Sequence, residues 1–223
     1  MDVREPEPLG GHPGWPSRLG PLRVGAGRAT HEVALRPVRL SDARAWSAIR
    51  LRDERYLTPW EPTPYGGWAR RNGAVEWPGR WYLLRAAARR GITLPFAITV
   101  DGRLAGHVMV GNVVREPLLS GYVGYWCDSR LAGRGVTTAA VALVVDHCFR
   151  AVGLHRLEAT VRPENAASLR VLDKLGFRHE GVLLRYLDVD GGWRDHLSYA
   201  MTVEELPVGG LAGRLVREGR AAH

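Results

Sequence analysis

Apolar residues recur along the chain with two different periods. Val136, Ala139, Ala140, Leu143, Val144 and Cys148 return at three- and four-residue spacing, so a helix is predicted over 136–152. Residues 157–161 alternate apolar and polar instead, the signature of a half-buried strand. Pro163 ends that strand, Asn165 is a side-chain cap, and a helix follows over 166–175 with Gly176 as its stop. Two hairpins are predicted, 95–100 with 103–110 about Asp101-Gly102, and 177–189 with 193–202 about Asp190-Gly191-Gly192; Asp-Gly between apolar runs is a strong hairpin signal. Nearer the start, 19–24 and 33–38 read as strands. Ser41 is expected to cap a helix reaching Asp53, with Asp42 in its first turn facing the dipole and Ala45, Trp46, Ile49 and Leu51 as its apolar stripe. Pro78 starts or breaks a further helix that runs to Arg90 and stops at Gly91.

Residues 1–18 carry Pro6, Pro8, Pro13 and Pro16 and read as a disordered N-terminal extension. Residues 19–206 form the predicted domain, and 207–223 a frayed or partly helical C-terminal tail. In 56–68, Pro59, Pro62 and Pro64 forbid a regular helix. Tyr56, Trp60, Tyr65 and Trp68 in that loop are costly to leave in water, so they either cover the core or wall a ligand pocket. The order of elements (hairpin, strand–loop–helix, strand–helix–hairpin) implies an α/β, mixed α+β sheet protein.

Composition narrows the class. The 223 residues fit one domain with tails, and 45% are hydrophobic, which excludes a disordered chain. Two cysteines, Cys127 and Cys148, make neither a disulfide framework nor a metal site; reduced thiols in a cytoplasmic protein are the default. No apolar run approaches membrane-spanning length, and the N-terminus lacks an apolar signal core. The formal charge of +8 suits nucleic acid, a ribosome surface or an anionic cofactor. A coding bias toward arginine explains it equally well: Lys174 is the only lysine, there is no block of five like charges, and no nucleic-acid motif is present.

The candidate chemistry lies in Cys127-Asp128-Ser129-Arg130-Leu131-Ala132-Gly133-Arg134-Gly135-Val136-Thr137-Thr138, between the strand expected at 122–127 and the helix from 136. A strand, glycine-containing loop and helix turn backbone N–H groups toward a phosphate. Gly133 and Gly135 allow unusual dihedrals and close backbone approach, and Arg134 adds a cation. A glycine pair also makes ordinary turns, so both readings stand at this point. G-x-x-x-x-G-K-S/T is absent, and Thr138 stands where a third Rossmann glycine belongs. The remaining ligands have a pyrophosphate held by a short loop, and coenzyme A leads among them.

"GYVGYWCDSRLAGRGVTTAAV" followed by "LHRLEATVRPENAASLRVLDKLGFRHEG" resembles the GNAT superfamily of acetyl-CoA-dependent N-acetyltransferases, whose motifs read Q/R-x-x-G-x-G/A and N-x-x-A/S-x-x-x-Y-x-x-x-G-F. Asn165, Ser168, Gly176 and Phe177 match the second motif. "LRYLDVDGGWRDHLSYAMT" and "LTPWEP" narrow the resemblance to the RimJ/RimL branch, the protein N-terminal acetyltransferases; it spans roughly 20–206. Ala132 and Thr137 depart from the loop motif, and Leu172 replaces the tyrosine that protonates the leaving thiolate in many members. The resemblance implies a central, mostly antiparallel twisted sheet flanked by helices, with two splayed strands forming the cofactor cleft. It implies acetyl-CoA as acyl donor and no metal. It places the donor on Tyr125, Trp126, Cys127, on Ala132, Gly133, Arg134, Gly135, Val136, Thr137, Thr138, and on Asn165 and Ser168.

An amine with a pKa near 8 loses its proton at neutral pH for only about 1 kcal/mol, so positioning should outweigh a strong base. Ser168 is the candidate acid, its alternative role being a local cap with Asn165. Tyr122 either holds a water or packs. Glu61, Glu158 and Asp195 are possible water-relayed bases, and Asp195 could instead pair with Arg194 or Arg185. Trp60, Glu61 and Tyr65 are the expected acceptor contacts. The expected acceptor is a protein N-terminus starting with Ala or Ser, ribosomal proteins among the candidates, bound by a monomer or homodimer. The alternatives are a small amine such as an antibiotic or polyamine, and a non-catalytic acyl-CoA-binding or ribosome-binding module.

Overall fold

A computed structural model describes residues 14–26, 29–63 and 65–222. Eight strands form one sheet: β1 (Leu19–Ala26), β2 (Ala29–Pro37), β3 (Leu94–Val100), β4 (Arg103–Val114), β5 (Ser120–Cys127), β6 (Arg156–Val161), β7 (Arg178–Val189) and β8 (Gly192–Thr202). Their order is β1-β2-β3-β4-β5-β6-β8-β7. Both hairpins form where Asp-Gly predicts them, β3 with β4 and β7 with β8. Every neighbouring pair is antiparallel except β5 and β6.

That parallel pair is short, and its shortness makes the site. Ser120, Gly121 and Tyr122 pair with Arg156, Leu157 and Glu158, and the ladder then stops. Beyond it, Val123 to Cys127 stay bound to β4, while Ala159 to Val161 stay bound to β8. The two strands are thus drawn apart by their outer neighbours, and a gap opens between them.

The helices are α1 (Ala43–Arg52), α2 (Glu54–Leu57), α3 (Trp68–Asn72), α4 (Trp77–Arg89), α5 (Val136–His147), α6 (Ala166–Leu175) and α7 (Gly210–Arg217). α5 is buried from Thr138 through Val145, as expected of a helix apolar all round. It packs against β1, β2, α6 and α7 and is continued by one wider turn, Cys148–Val152, to Gly153. Asn165 caps α6 through a 3.0 Å bond from the Ser168 N–H, as predicted.

In the terminal regions large apolar side chains find partners, and 207–223 is partly helical. Of the extension read as disordered, residues 1–13 lie outside the described residues. Trp15, however, is buried with its ring edge on Phe96 at 5.5 Å. Within 207–223, α7 buries Leu211 and Leu215 in the main core. Asp146 on α5 caps α7 by accepting the Leu211 and Ala212 N–H groups at 2.7 and 3.0 Å, and Ala222 pairs with Arg23 of β1. The first helix differs from the sequence expectation. Asp42, not Ser41, is the N-cap of α1, and its carboxylate turns back to accept the Arg39 N–H at 2.7 Å and the Arg36 guanidinium. Its inward face is Trp46, Ser47, Ile49 and Arg50, whereas Ala45 and Leu51 point outward. Trp46 instead joins a second cluster with Val38, Trp77 and Ala97.

Candidate active site

The loop leaving β5 is pinned before it reaches the glycines. Asp53 accepts the Ser129 N–H and hydroxyl, each at 2.8 Å. Asp128 accepts the Arg130 N–H at 2.9 Å and Arg52 Nη2 at 2.6 Å. Burial opposes ionisation of both carboxyls, but bonds from Arg52 and Ser129 to Asp53, and from Arg130 to Asp128, hold each below the usual range. Sequence reasoning missed this network, because Asp53 and Asp128 are distant in the chain and neither belongs to a motif.

Past the network, Gly133 and Gly135 both adopt left-handed backbone, φ 74° and 81°. A Cβ on Gly133 would meet nothing within 4 Å, so open space faces the backbone there. Gly135 is the N-cap of α5, whose first-turn N–H groups, through Thr138, have no intrahelical acceptor. Ala132 and Arg134 are exposed beside them, with Arg134 Nη1 3.2 Å from His31 Nε2. Such a concave set of N–H groups fits a pyrophosphate. Burial raises the Cys127 thiol to about 12, against a hydrogen bond with Thr137, so Cys127 is a neutral packing group.

A cavity of about 510 Å³ runs along the gap between β5 and β6 and continues beneath the proline-rich loop. On its walls the Tyr125 hydroxyl lies 2.8 Å from Ser168 Oγ. Burial pushes the Tyr125 phenol above its ordinary range despite the Ser168 bond, so it is protonated at any physiological pH. Leu172, by contrast, is fully buried in the core. Tyr122 reaches Thr160 Oγ1 across the gap at 3.0 Å, and burial raises its phenol as well.

Of the expected bases Glu61 borders the cavity, whereas Glu158 and Asp195 do not. Both Glu61 oxygens are engaged by the Arg50 guanidinium. Glu158 is paired with Arg156 at 2.7 Å, and its side chain is about half exposed. Asp195 accepts the Arg185 backbone N–H at 2.7 Å and bonds neither guanidinium considered for it. None of Glu158, Asp195 or Tyr65 borders the cavity, and Tyr65 is fully exposed. His196 does border it. Its Nδ1 lies 3.0 Å from the Arg194 carbonyl, which can only accept, so the neutral ring carries its proton on Nδ1 and leaves Nε2 as an acceptor.

The loop holding Trp60 and Glu61 is fixed at several points. Arg162 lies over the Trp60 ring at 5.5 Å and donates to the Pro59 carbonyl at 2.8 Å. Thr63 binds Asp188 through backbone and side chain, at 3.0 and 2.6 Å. Arg50 is buried against Trp68 and Trp126, at 4.7 and 5.1 Å from their rings, and donates Nε to Asn72 at 2.8 Å. His107 sits between Trp77 and Trp126 with Nε2 unpartnered, and burial lowers its pKa to about 3. It is therefore neutral, and the cavity's cations are arginines. Among the described residues no cluster of three or more His, Cys, Asp or Glu is positioned to hold a metal ion. Among them, too, no helix is long and apolar enough to cross a membrane.

A family model described as an acetyltransferase (GNAT) domain matches residues 32–178, most of the chain. The chain belongs to the GNAT acetyltransferase family. It is an acetyl-CoA-dependent N-acetyltransferase of the RimJ/RimL type, the branch to which its closing segment and its Leu57–Pro62 stretch are similar. Mycobacterium smegmatis RimJ, solved in complex with CoA-disulfide, is 54% identical, with a TM-score of 0.90 over 94% of this chain and 98% of that one. The Escherichia coli [ribosomal protein uS5]-alanine N-acetyltransferase is 28% identical over 178 residues, 79% of this chain and 90% of the relative. The ribosomal-protein-S5-alanine acetyltransferase structure from Vibrio fischeri is 30% identical, with a TM-score of 0.71 over 78% of this chain and 94% of that one. The GNAT sheet, with its parted strand pair and helices on its faces, is the fold the motifs imply.

Proposed function

We propose that the protein acetylates the α-amine of protein N-termini beginning with Ala or Ser, a ribosomal protein being the leading candidate, by direct attack while donor and acceptor are bound together in the cytoplasm. The observation that carries this reading is the single cavity joining the β5–β6 gap and the Tyr125–Ser168 pair to a stiff, multiply pinned acceptor wall. The ribosomal-protein-alanine acetyltransferases of Escherichia coli and Vibrio fischeri, to which the chain is similar, support the same acceptor class.

Each part of the chain then has a role. The N–H groups at Gly133 to Thr138 and the Arg134 cation hold the pyrophosphate of the donor. Backbone of Tyr125 to Cys127, freed from β6, adds the donor's extended arm as a strand-like partner. Acetyl-CoA supplies the acyl carbon and a thiolate leaving group. The Tyr125 phenol, protonated and bonded to Ser168, holds the proton that the thiolate needs; Ser168 passes or orients it. Arginines 50, 71, 80 and 162 border the cavity against Glu61 alone among carboxylates. Their potential disfavours an ammonium and so favours the free amine that attacks. His196 Nε2 is the acceptor available for the proton released by that amine.

The reading is tested by comparing acetyl transfer to peptides starting with Ala, Ser, Leu or Phe, to lysine ε-amines, and to small amines. Each extra methylene in a closed pocket changes discrimination by about 1–3 kcal/mol, so Ala and Ser peptides should react fastest. Faster transfer to lysine side chains or free amines than to any N-terminal peptide would refute it.

A further inference from the structure

α3 and α4, inserted between the aromatic loop and β3, put Arg71 and Arg80 on the cavity wall. Arg80 differs from its neighbours in having no partner. Arg50 is matched by Glu61, and Arg162 by Glu164 at 3.2 Å. Arg71 donates to the Pro62 carbonyl at 2.9 Å. Among the described residues Arg80 has neither an ion pair nor a hydrogen bond. Its only marked contact is with the Trp46 ring, 5.1 Å from the guanidinium carbon. It is half-buried, and burial, together with Arg71 and Arg50, lowers its pKa. The carboxylates that act on it from nearby are Glu61, already committed to Arg50, and the exposed Glu76.

A half-buried guanidinium without a counter-charge is costly to maintain. Stacked on one face by an indole, its planar edge remains free, and that edge matches a carboxylate in two-point contact. We infer that Arg80, seconded by Arg71, is a carboxylate subsite in the acceptor half of the cavity, and that favoured acceptors carry Asp or Glu within their first few residues. This rests on the N-terminal acceptor reading above and adds a sequence requirement to it. Trp46 beneath Arg80 and the Arg50–Glu61 pair beside it hold the subsite in place.

The test uses the full chain and a peptide series beginning with Ala, in which Glu, Gln or Lys is placed in turn at positions two to five. At one position Glu should exceed Gln in kcat/KM by about tenfold or more, the scale of a charge-assisted bidentate contact, and Lys should be the poorest. Arg80→Met, which keeps the aliphatic stem over Trp46, should collapse the Glu-over-Gln ratio toward one; Arg80→Lys should retain part of it. Melting curves of both variants report that the fold is kept. Equal rates for Glu and Gln at every position, or a preference that survives Arg80→Met, would overturn the inference while leaving N-terminal acetylation intact. A rise in KM for acetyl-CoA in Arg80→Met would also overturn it, since the residue would then serve the donor. Failure to acetylate any peptide in the series would sink the acceptor reading, and the subsite with it.

Discussion

Glu61 has two possible roles, catalytic base or structural anchor, and the structure separates them. The Glu61 and Arg50 side chains are 17% and 3% exposed, so the pair is little screened by water. Removing one member of a buried pair strands the other and costs about 3–5 kcal/mol. Glu61→Gln keeps one acceptor oxygen, so a loss near 3 kcal/mol is expected, a fall in Tm of roughly 6–12 °C for a chain of this size. Arg50→Met should cost more, because the guanidinium also bonds Asn72 and stacks on Trp68 and Trp126. The double variant Arg50→Met/Glu61→Gln should be more stable than the sum of its single changes by about 2 kcal/mol, since no charge is then stranded. The assay is urea denaturation of the four proteins, with steady-state kinetics on an Ala-initiated peptide. An anchor raises peptide KM as the loop loosens and leaves kcat largely in place. A Glu61→Gln protein of unchanged stability whose kcat falls a hundredfold would refute the anchor and restore Glu61 as base.

Further outcomes are expected at the Tyr125–Ser168 pair, the glycine loop, His107 and His196. Ser168→Ala and Tyr125→Phe should each lower kcat by about 10²-fold with little change in KM, and the double variant should be little worse, because they act as one unit; additive losses would separate them. Gly135→Val should lose stability as well as binding, because φ is 81°, a left-handed backbone that a β-branched residue rarely adopts. Gly133→Ala is the cleaner probe: it should cost about 1 kcal/mol of stability yet weaken acetyl-CoA binding by tenfold or more in calorimetry, and unchanged affinity would remove the loop from the donor site. His107 has its folded pKa lowered to about 3 from an ordinary 6.5, so the unfolded chain binds the extra proton between those values and stability falls as pH drops through that window; His107→Phe should flatten the urea midpoint between pH 7 and 4, and an unaltered pH slope would contradict the assignment. His196→Asn can still donate to the Arg194 carbonyl but lacks the Nε2 acceptor; kcat should fall, and an unchanged kcat would exclude His196 as base.

The parts of this protein legible in its sequence are those set by local chemistry. Asp101-Gly102 and Asp190-Gly191 specify their hairpins, Asn165 its cap, and the α5 repeat its buried helix, because each signal acts over a few residues. The bond from the Ser168 N–H to Asn165 and the left-handed turns at Gly133 and Gly135 are set over equally short stretches. Arg50, Arg80, His107 and the Asp53–Asp128 network were not legible. Their roles come from partners brought together by the sheet order, and an arginine on a helix reads as solvent-facing until Trp46, Trp68 and Trp126 surround it. Tyr65 shows the converse error: aromatic content suggested a pocket wall, but its position in the loop turns the ring outward. Trp15, Leu211 and Leu215 show that segments with proline- and glycine-rich composition still dock when a few large apolar groups find core contacts.

The central claim is transfer of acetyl to Ala- and Ser-initiated protein N-termini. It is tested most directly by mass spectrometry of protein N-termini from cells with the protein, without it, and complemented with the Tyr125→Phe/Ser168→Ala double variant. The account predicts a defined set of N-termini starting with Ala or Ser, ribosomal proteins among them, that are acetylated with the protein, unacetylated without it, and not restored by the variant. N-termini unchanged across all three, with acetylation altered on lysine side chains or small amines instead, would contradict it.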